Sequence, residues 1–104
     1  MSDVLHKIIQ AIKDHRYILS GKSIAEMDAD GINIINITES VCSATEISKK
    51  IRSRSPLRAH AREMLYVIKS QDRNGLMIYT KGKFEVADDK EIYYKFISAK
   101  RMEP

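Results

Sequence analysis

Between Met64 and Lys100 the chain spells three strand-length runs parted by two turns, and this stretch constrains the fold more than any other. Met64 to Ser70 (MLYVIKS) and Leu76 to Val86 (LMIYTKGKFEV) are rich in β-branched and aromatic residues, which suit a pleated, half-buried surface. Asp72-Arg73-Asn74-Gly75 between them supplies hairpin chemistry, because Asn-Gly tolerates positive φ. Asp88-Asp89 makes the next turn, and Ile92 to Lys100 (IYYKFISAK) closes the meander. Gly82 reads as a bulge or irregularity in the second run. Upstream, Glu46 to Ser53 (EISKKIRS) reads as a further strand, and Pro56 marks a turn or crossover because it cannot donate to a ladder.

The first half reads helical. Ser2 or Asp3 can cap a helix in which Val4, Leu5, Ile8, Ile9 and Ile12 recur on one face. Lys13, His15 and Arg16 then lie at its carbonyl end, where positive charge is favoured. A second helix is expected from Ser20 or Gly21 to Asp30, with Ile24 and Met27 inward and Gly31 as its left-handed stop. Ile32 to Ala44 (INIINITESVCSA) suits a third helix capped by Asn33, with Ile34, Ile37 and Val41 inward, although four isoleucines also suit a strand. Helices first and strands second give an α+β domain: N-terminal helices packed on a twisted antiparallel sheet, spanning residues 1–104 as one unit.

No apolar run approaches the ~20 residues a bilayer-spanning helix needs, and the N-terminus lacks the order of a signal peptide. A single cysteine, Cys42, excludes an internal disulfide, suits a cytoplasmic protein and reads as a buried structural thiol. Three scattered histidines and one cysteine give no zinc spacing, and no phosphate-binding loop or dinucleotide fingerprint is present, so neither a metal nor a small-molecule cofactor is expected.

Charge is divided unevenly along the chain. Residues 1–48 carry a net charge of −3 and residues 49–104 a net charge of +7. Lys49 to Arg62 (KKIRSRSPLRAHAR) holds six cations and no carboxylate, a footprint of a polyanionic partner as much as of a solvated loop. Lys50, Arg52, Arg54, Arg58 and Arg62 are its candidate nucleic-acid contacts, and Lys95 is a further one on the last strand. Across the strand-forming half, Tyr66, Tyr79, Tyr93 and Tyr94 interleave with Lys69, Lys81, Lys83, Lys95, Lys100 and Arg101, a pairing that suits single-stranded RNA. Tyrosine is also a favoured strand residue and lysine a common protector of exposed edges.

Metal-free RNA cleavage needs a group to take the 2′-hydroxyl proton, one to protonate the departing 5′ oxygen, and cations to stabilise the phosphorane. Lysine, tyrosine and arginine can share these roles. His60 is the histidine nearest the cations, and as a loop residue it is more often solvated than catalytic, whereas His6 and His15 belong to the first helix.

Leu19 to Ile32 (LSGKSIAEMDADGI), followed by a helix-like run and a basic strand, resembles the MqsR-type ribonuclease toxins. It also resembles a related, largely uncharacterised bacterial family that opens on a Ser-x-His-Ala…Met…Gly-Ile pattern, although the histidine position is Lys22 here. Both are similar to the RelE-like fold. The resemblance implies a functional lysine in the basic strand, matched by Lys49, a tyrosine on a central strand, matched by Tyr79, and a lysine late in the last strand, matched by Lys100 or Lys95. The glutamine such toxins carry on the intervening strand has no counterpart, since Gln71 is expected in the hairpin turn.

Together these features lead to the expectation of a cytoplasmic, metal-independent endoribonuclease of a type II toxin–antitoxin system, acting on mRNA and neutralised by a cognate antitoxin. Lys49, Tyr79 and Lys100 are its expected catalytic residues. The alternatives are an RNA-binding module without chemistry and an interaction domain for an acidic protein partner.

Overall fold

The computed structural model describes residues 2–54, 56 and 63–102, so Arg58, His60 and Arg62 lie outside the described residues. The element order is α1 (Asp3–Lys13), β1 (Tyr17–Leu19), α2 (Gly21–Asp30), α3 (Ile34–Ser43), β2 (Lys49–Arg52), β3 (Met64–Gln71), β4 (Met77–Val86) and β5 (Ile92–Arg101). The α+β class follows, with α1 and α3 packed on one face of a five-stranded sheet of order β1-β5-β4-β3-β2. Among the described residues no helix is long and apolar enough to cross a membrane.

The helix ends follow the capping chemistry in the sequence. Ser2 Oγ accepts from Leu5 N at 3.1 Å and opens α1, whose Leu5, Ile8, Ile9 and Ile12 are buried. α1 closes in a Schellman arrangement: Arg16 N donates to the Ala11 carbonyl and His15 N to that of Ile12, with His15 at φ 59. His15 is therefore the left-handed stop of the helix, a position more often held by glycine. Asn33 Oδ1 accepts from the Ile35 and Asn36 amides, and Asn36 Oδ1 accepts from Asn33 N at 2.8 Å. That reciprocal cap decides the ambiguous isoleucine run in favour of helix, and Ile37 and Val41 face the core as expected.

Two expectations are corrected. Ile24, expected inward on α2, is 50% exposed, and Ser23 is buried beside Met27 in its stead. The Ser23 hydroxyl satisfies itself on the Ser20 carbonyl at 2.8 Å, so a small polar residue can bring the helix close to the sheet. The sheet is mixed, not wholly antiparallel, because β1 pairs in parallel with β5 through Tyr17↔Tyr94, Ile18↔Lys95 and Leu19↔Phe96. Three residues carry no usable periodicity, so β1 exists through its partner and not through its own pattern.

β1 covers only the first half of the β5 edge. Beyond it, α2 takes over: Glu26 Oε1 accepts from Ala99 N at 3.2 Å and from Ser98 Oγ at 2.6 Å, and Asp30 Oδ2 accepts from Arg101 N at 2.8 Å. The spacing explains the match. Four residues of helix advance about 6 Å and two residues of strand about 6.8 Å, so carboxylates at i and i+4 meet successive outward amides.

On the helix-covered side an edge-to-face aromatic chain crosses four strands, Tyr17–Phe96–Tyr94–Phe84–Tyr66, with centroids 5.2–6.1 Å apart. Gly82 makes room for it, because a Cβ there would lie 2.5 Å from the Tyr94 ring. The register does shift at Gly82, but the extra residue is Ile97 on β5: Gly82 pairs with Phe96 and Lys81 with Ser98. Without that insertion Lys100 would oppose Ile78 on the helix side, and Ala99 would oppose Tyr79. With it, Ala99 is buried opposite Thr80 and Lys100 opposes Tyr79 on the other face.

The β3–β4 turn closes with Gly75 N donating to the Asp72 carbonyl at 3.1 Å, and Gly75 sits at φ 86 with open space around it. Gly75→Val should therefore destabilise through backbone strain alone, on the order of 1–3 kcal/mol in urea unfolding. The Asp72 carboxyl is held below the usual carboxylate range, first by the Leu76 N–H, against opposing burial, and then by Asn36, Asn74 and Gly75. A depressed folded-state pKa contributes stability that is present above the unfolded value, about 3.9, and is lost as pH falls through the folded one. Asp72→Asn should lower stability at neutral pH and flatten its decline in acid, as read from melts at stepped pH.

Candidate functional site

Strand parity and register sort the sheet into two faces. Ser70, Ile68 and Tyr66 of β3 pair with Ile78, Thr80 and Gly82 of β4, and with Tyr94, Phe96 and Ala99 they form the side under the helices. The opposite face carries Lys49 and Ile51 from β2, Leu65, Val67 and Lys69 from β3, Tyr79, Lys81, Lys83 and Glu85 from β4, and Tyr93, Lys95 and Lys100 from β5. Val67, only 3% exposed, stands outside the main core cluster, as a residue of this second face should.

Lys49, Tyr79 and Lys100 thus share the open face. Tyr79 and Lys100 are direct cross-strand partners, and the Lys100 ammonium lies 5.3 Å from the Tyr79 ring centroid. Lys49 does not pair with them: the strand β3 and an offset of one pleat separate it from Tyr79, roughly 12 Å between Cα atoms. Gln71, expected in the turn, is the last residue of β3 and has the parity of Lys69, so it too belongs to this face.

Other expected contacts are dispersed. Lys50 and Arg52 pair with Tyr66 and Met64 and so take the parity of the helix side, away from Lys49. Arg54 is exposed in the segment after β2. Lys95 is on the open face but is engaged, its ammonium 3.6 Å from Glu85 Oε2. Tyr66 and Tyr94 leave the RNA-facing set, because both belong to the core aromatic chain. Cys42 is half-buried; burial pushes its thiol pKa up, with Lys13 pulling the other way.

One end of the face is neutralised. Lys83 Nζ lies 3.1 Å from Glu63 Oε1 and 3.5 Å from Glu85 Oε2, and Glu85 also holds Lys95. Among the described residues Lys49, Lys69, Lys81 and Lys100 have no carboxylate within ion-pair distance. Lys69 and Lys81, which sequence reasoning set among the interleaved cations without a site role, therefore belong with the free charges around Tyr79. The signal that distinguishes them is the period of two in Val67-x-Lys69 and Tyr79-x-Lys81, read together with the acids at 63 and 85.

The Tyr94 hydroxyl is buried without a hydrogen-bond partner among the described residues, and burial raises its pKa far above that of a free phenol, with Tyr66 adding to the shift. It therefore stays neutral and plays no part on the open face. Tyr94→Phe should hold or raise stability by about 1 kcal/mol, because it removes a desolvated polar atom and keeps the ring; a thermal melt of the single variant checks this. Compared with known protein families, with curated proteins and with solved structures, the chain matches none.

Proposed function

We propose that this protein is a metal-independent endoribonuclease of the toxin type, cytoplasmic and RelE-like in fold, which cleaves mRNA on the open face of its sheet and is held in check by a cognate antitoxin. The observation that carries the reading is the meeting of Tyr79 with Lys100 on the same face as Lys49, three residues that the toxin resemblance singles out.

The chemistry follows from the groups present. The substrate 2′-oxygen bonds to the adjacent phosphorus while the bond to the 5′ oxygen breaks, leaving a cyclic phosphate and a free 5′-hydroxyl. One proton passes from the 2′-hydroxyl to solvent water and one reaches the departing oxygen. The Tyr79 hydroxyl is suited to deliver the second proton, and Lys49 and Lys100 to offset charge on the crowded phosphorane. Lys100 already occupies one face of the Tyr79 ring, which favours a proton-carrying role for that tyrosine over a stacking role there.

The separation of Lys49 from Tyr79 favours a second reading, an RNA-binding module that does no chemistry. Pure protein incubated with unprotected RNA in excess chelator separates the two. Because no step is assigned to a metal ion, cleavage should persist under chelation. Lys49→Ala, Tyr79→Phe and Lys100→Ala should each slow it roughly 10²–10⁴-fold with melts unchanged. RNA that is bound but left intact supports the second reading, and near wild-type rates in all three variants overturn the assigned site.

A further inference from the structure

The lysines of the open face without a carboxylate partner among the described residues come one from each of four neighbouring strands, and register fixes their order. Lys49 of β2 opposes Val67, Val67 opposes Lys81 of β4, and Lys81 opposes Ser98. One pleat along, Lys69 of β3 opposes Tyr79, and Tyr79 opposes Lys100 of β5. Lys49, Lys69, Lys81 and Lys100 are therefore successive diagonal neighbours, each step about 7–8 Å at the backbone. They zigzag across the sheet at right angles to its strands. Each row reads cation, uncharged residue, cation: Lys49–Val67–Lys81 and Lys69–Tyr79–Lys100. Val67 is buried beneath its row and Tyr79 is the accessible uncharged residue between paired charges, while the Glu63–Lys83–Glu85–Lys95 group borders the track on one side with cations already paired to carboxylates.

We infer that this zigzag is the binding track for a single-stranded polynucleotide that crosses the sheet transversely, with Lys69 and Lys81 as phosphate contacts between Lys49 and Lys100. The inference rests on the RNA reading above and adds to it two binding residues, a path and a boundary. Lysine ammonium groups are compact point charges that hold phosphate without reading sequence, so binding along the track is sequence-tolerant. The half-buried Tyr79 ring set between Lys69 and Lys100 suits a chain in which phosphates alternate with sugars and bases, and suits an acidic peptide less. Lys83 and Lys95 are already paired with Glu63 and Glu85 and offer phosphate no net positive charge, so the strand does not extend over them.

Salt-dependent binding of a 2′-O-methyl oligouridine, which cannot be cleaved through a 2′-hydroxyl, tests the track. Four phosphate contacts on a single strand give a log–log slope of roughly −2.8 against salt, and Lys69→Gln with Lys81→Gln should reduce it to roughly −1.4. Lys69→Gln alone, at an exposed position, should give about half that change and guards against a folding defect in the pair. The charge-matched pair Lys22→Gln and Lys90→Gln, on α2 and in the β4–β5 turn, should leave the slope unaltered. A steep wild-type slope that neither Lys69→Gln nor the double variant changes overturns the track and leaves the RNA reading standing. No wild-type binding at low salt overturns both. Polyglutamate that competes as well as the oligouridine assigns the face to an acidic protein and overturns the nucleic-acid track.

Discussion

The outer edge of β5 is the constraint on which the rest of this fold depends. β5 supplies Tyr94, Phe96 and Ala99 to the core and Lys95 and Lys100 to the open face, so both sides of the sheet rely on one strand holding its place. An uncovered edge of that length would leave a row of amides unpaired and open to other chains. The protein closes it in two pieces, first with the parallel strand β1 and then with the Glu26 and Asp30 carboxylates of α2. A hydrogen bond to a charged acceptor contributes on the order of 1.5–3 kcal/mol when sheltered, and Glu26 makes two such bonds, to Ser98 and Ala99. At the far side of the sheet the edge strand β2 is only four residues long and carries three cations, which blunts it against pairing by other means.

Much of this order is legible in the sequence because it is local. The caps at Ser2, Ser20 and Asn33, the stop at Gly31 and the turn at Gly75 each depend on residues within a few positions of one another. β1 is not legible, since Tyr17–Leu19 has no pattern of its own and is a strand only because β5 lies beside it. The exposure of Ile24 is likewise a tertiary outcome: α2 turns Ser23 and Met27 inward to bring Glu26 and Asp30 to the β5 edge, and Ile24 is left outside. Helical spacing alone gives Ile24 the same claim to the core as Met27.

The candidate site shows the same division. Tyr79 can be assigned a face by alternation with Ile78 and Thr80, but Lys100 cannot, because the insertion at Ile97 reverses the parity of everything after it. Counting by twos from Phe96 would bury Lys100 and expose Ala99; the observed register buries Ala99 and brings Lys100 over the Tyr79 ring. Tyr66 and Tyr94 fail for a related reason. Composition sets them among the lysines, whereas parity sends both to the core, where Gly82 leaves space for the Tyr94 ring.

Charge, finally, is arranged on this sheet in a way that its total does not reveal. The strand-forming half carries a net +7, yet two of its own acids, Glu63 and Glu85, are spent on Lys83 and Lys95, and Lys50 and Arg52 face away from the rest. Among the described residues, what remains on the open face is four lysines, one on each of β2 to β5, whose positions are set by backbone register. Fixed spacing matters physically because a pre-ordered row of cations loses less conformational freedom on meeting an ordered anion than the same charges on a loose segment would. Net charge governs attraction at a distance, where the whole half contributes. Contact is governed by register, and the single inserted residue at Ile97 puts the fourth lysine beside the tyrosine.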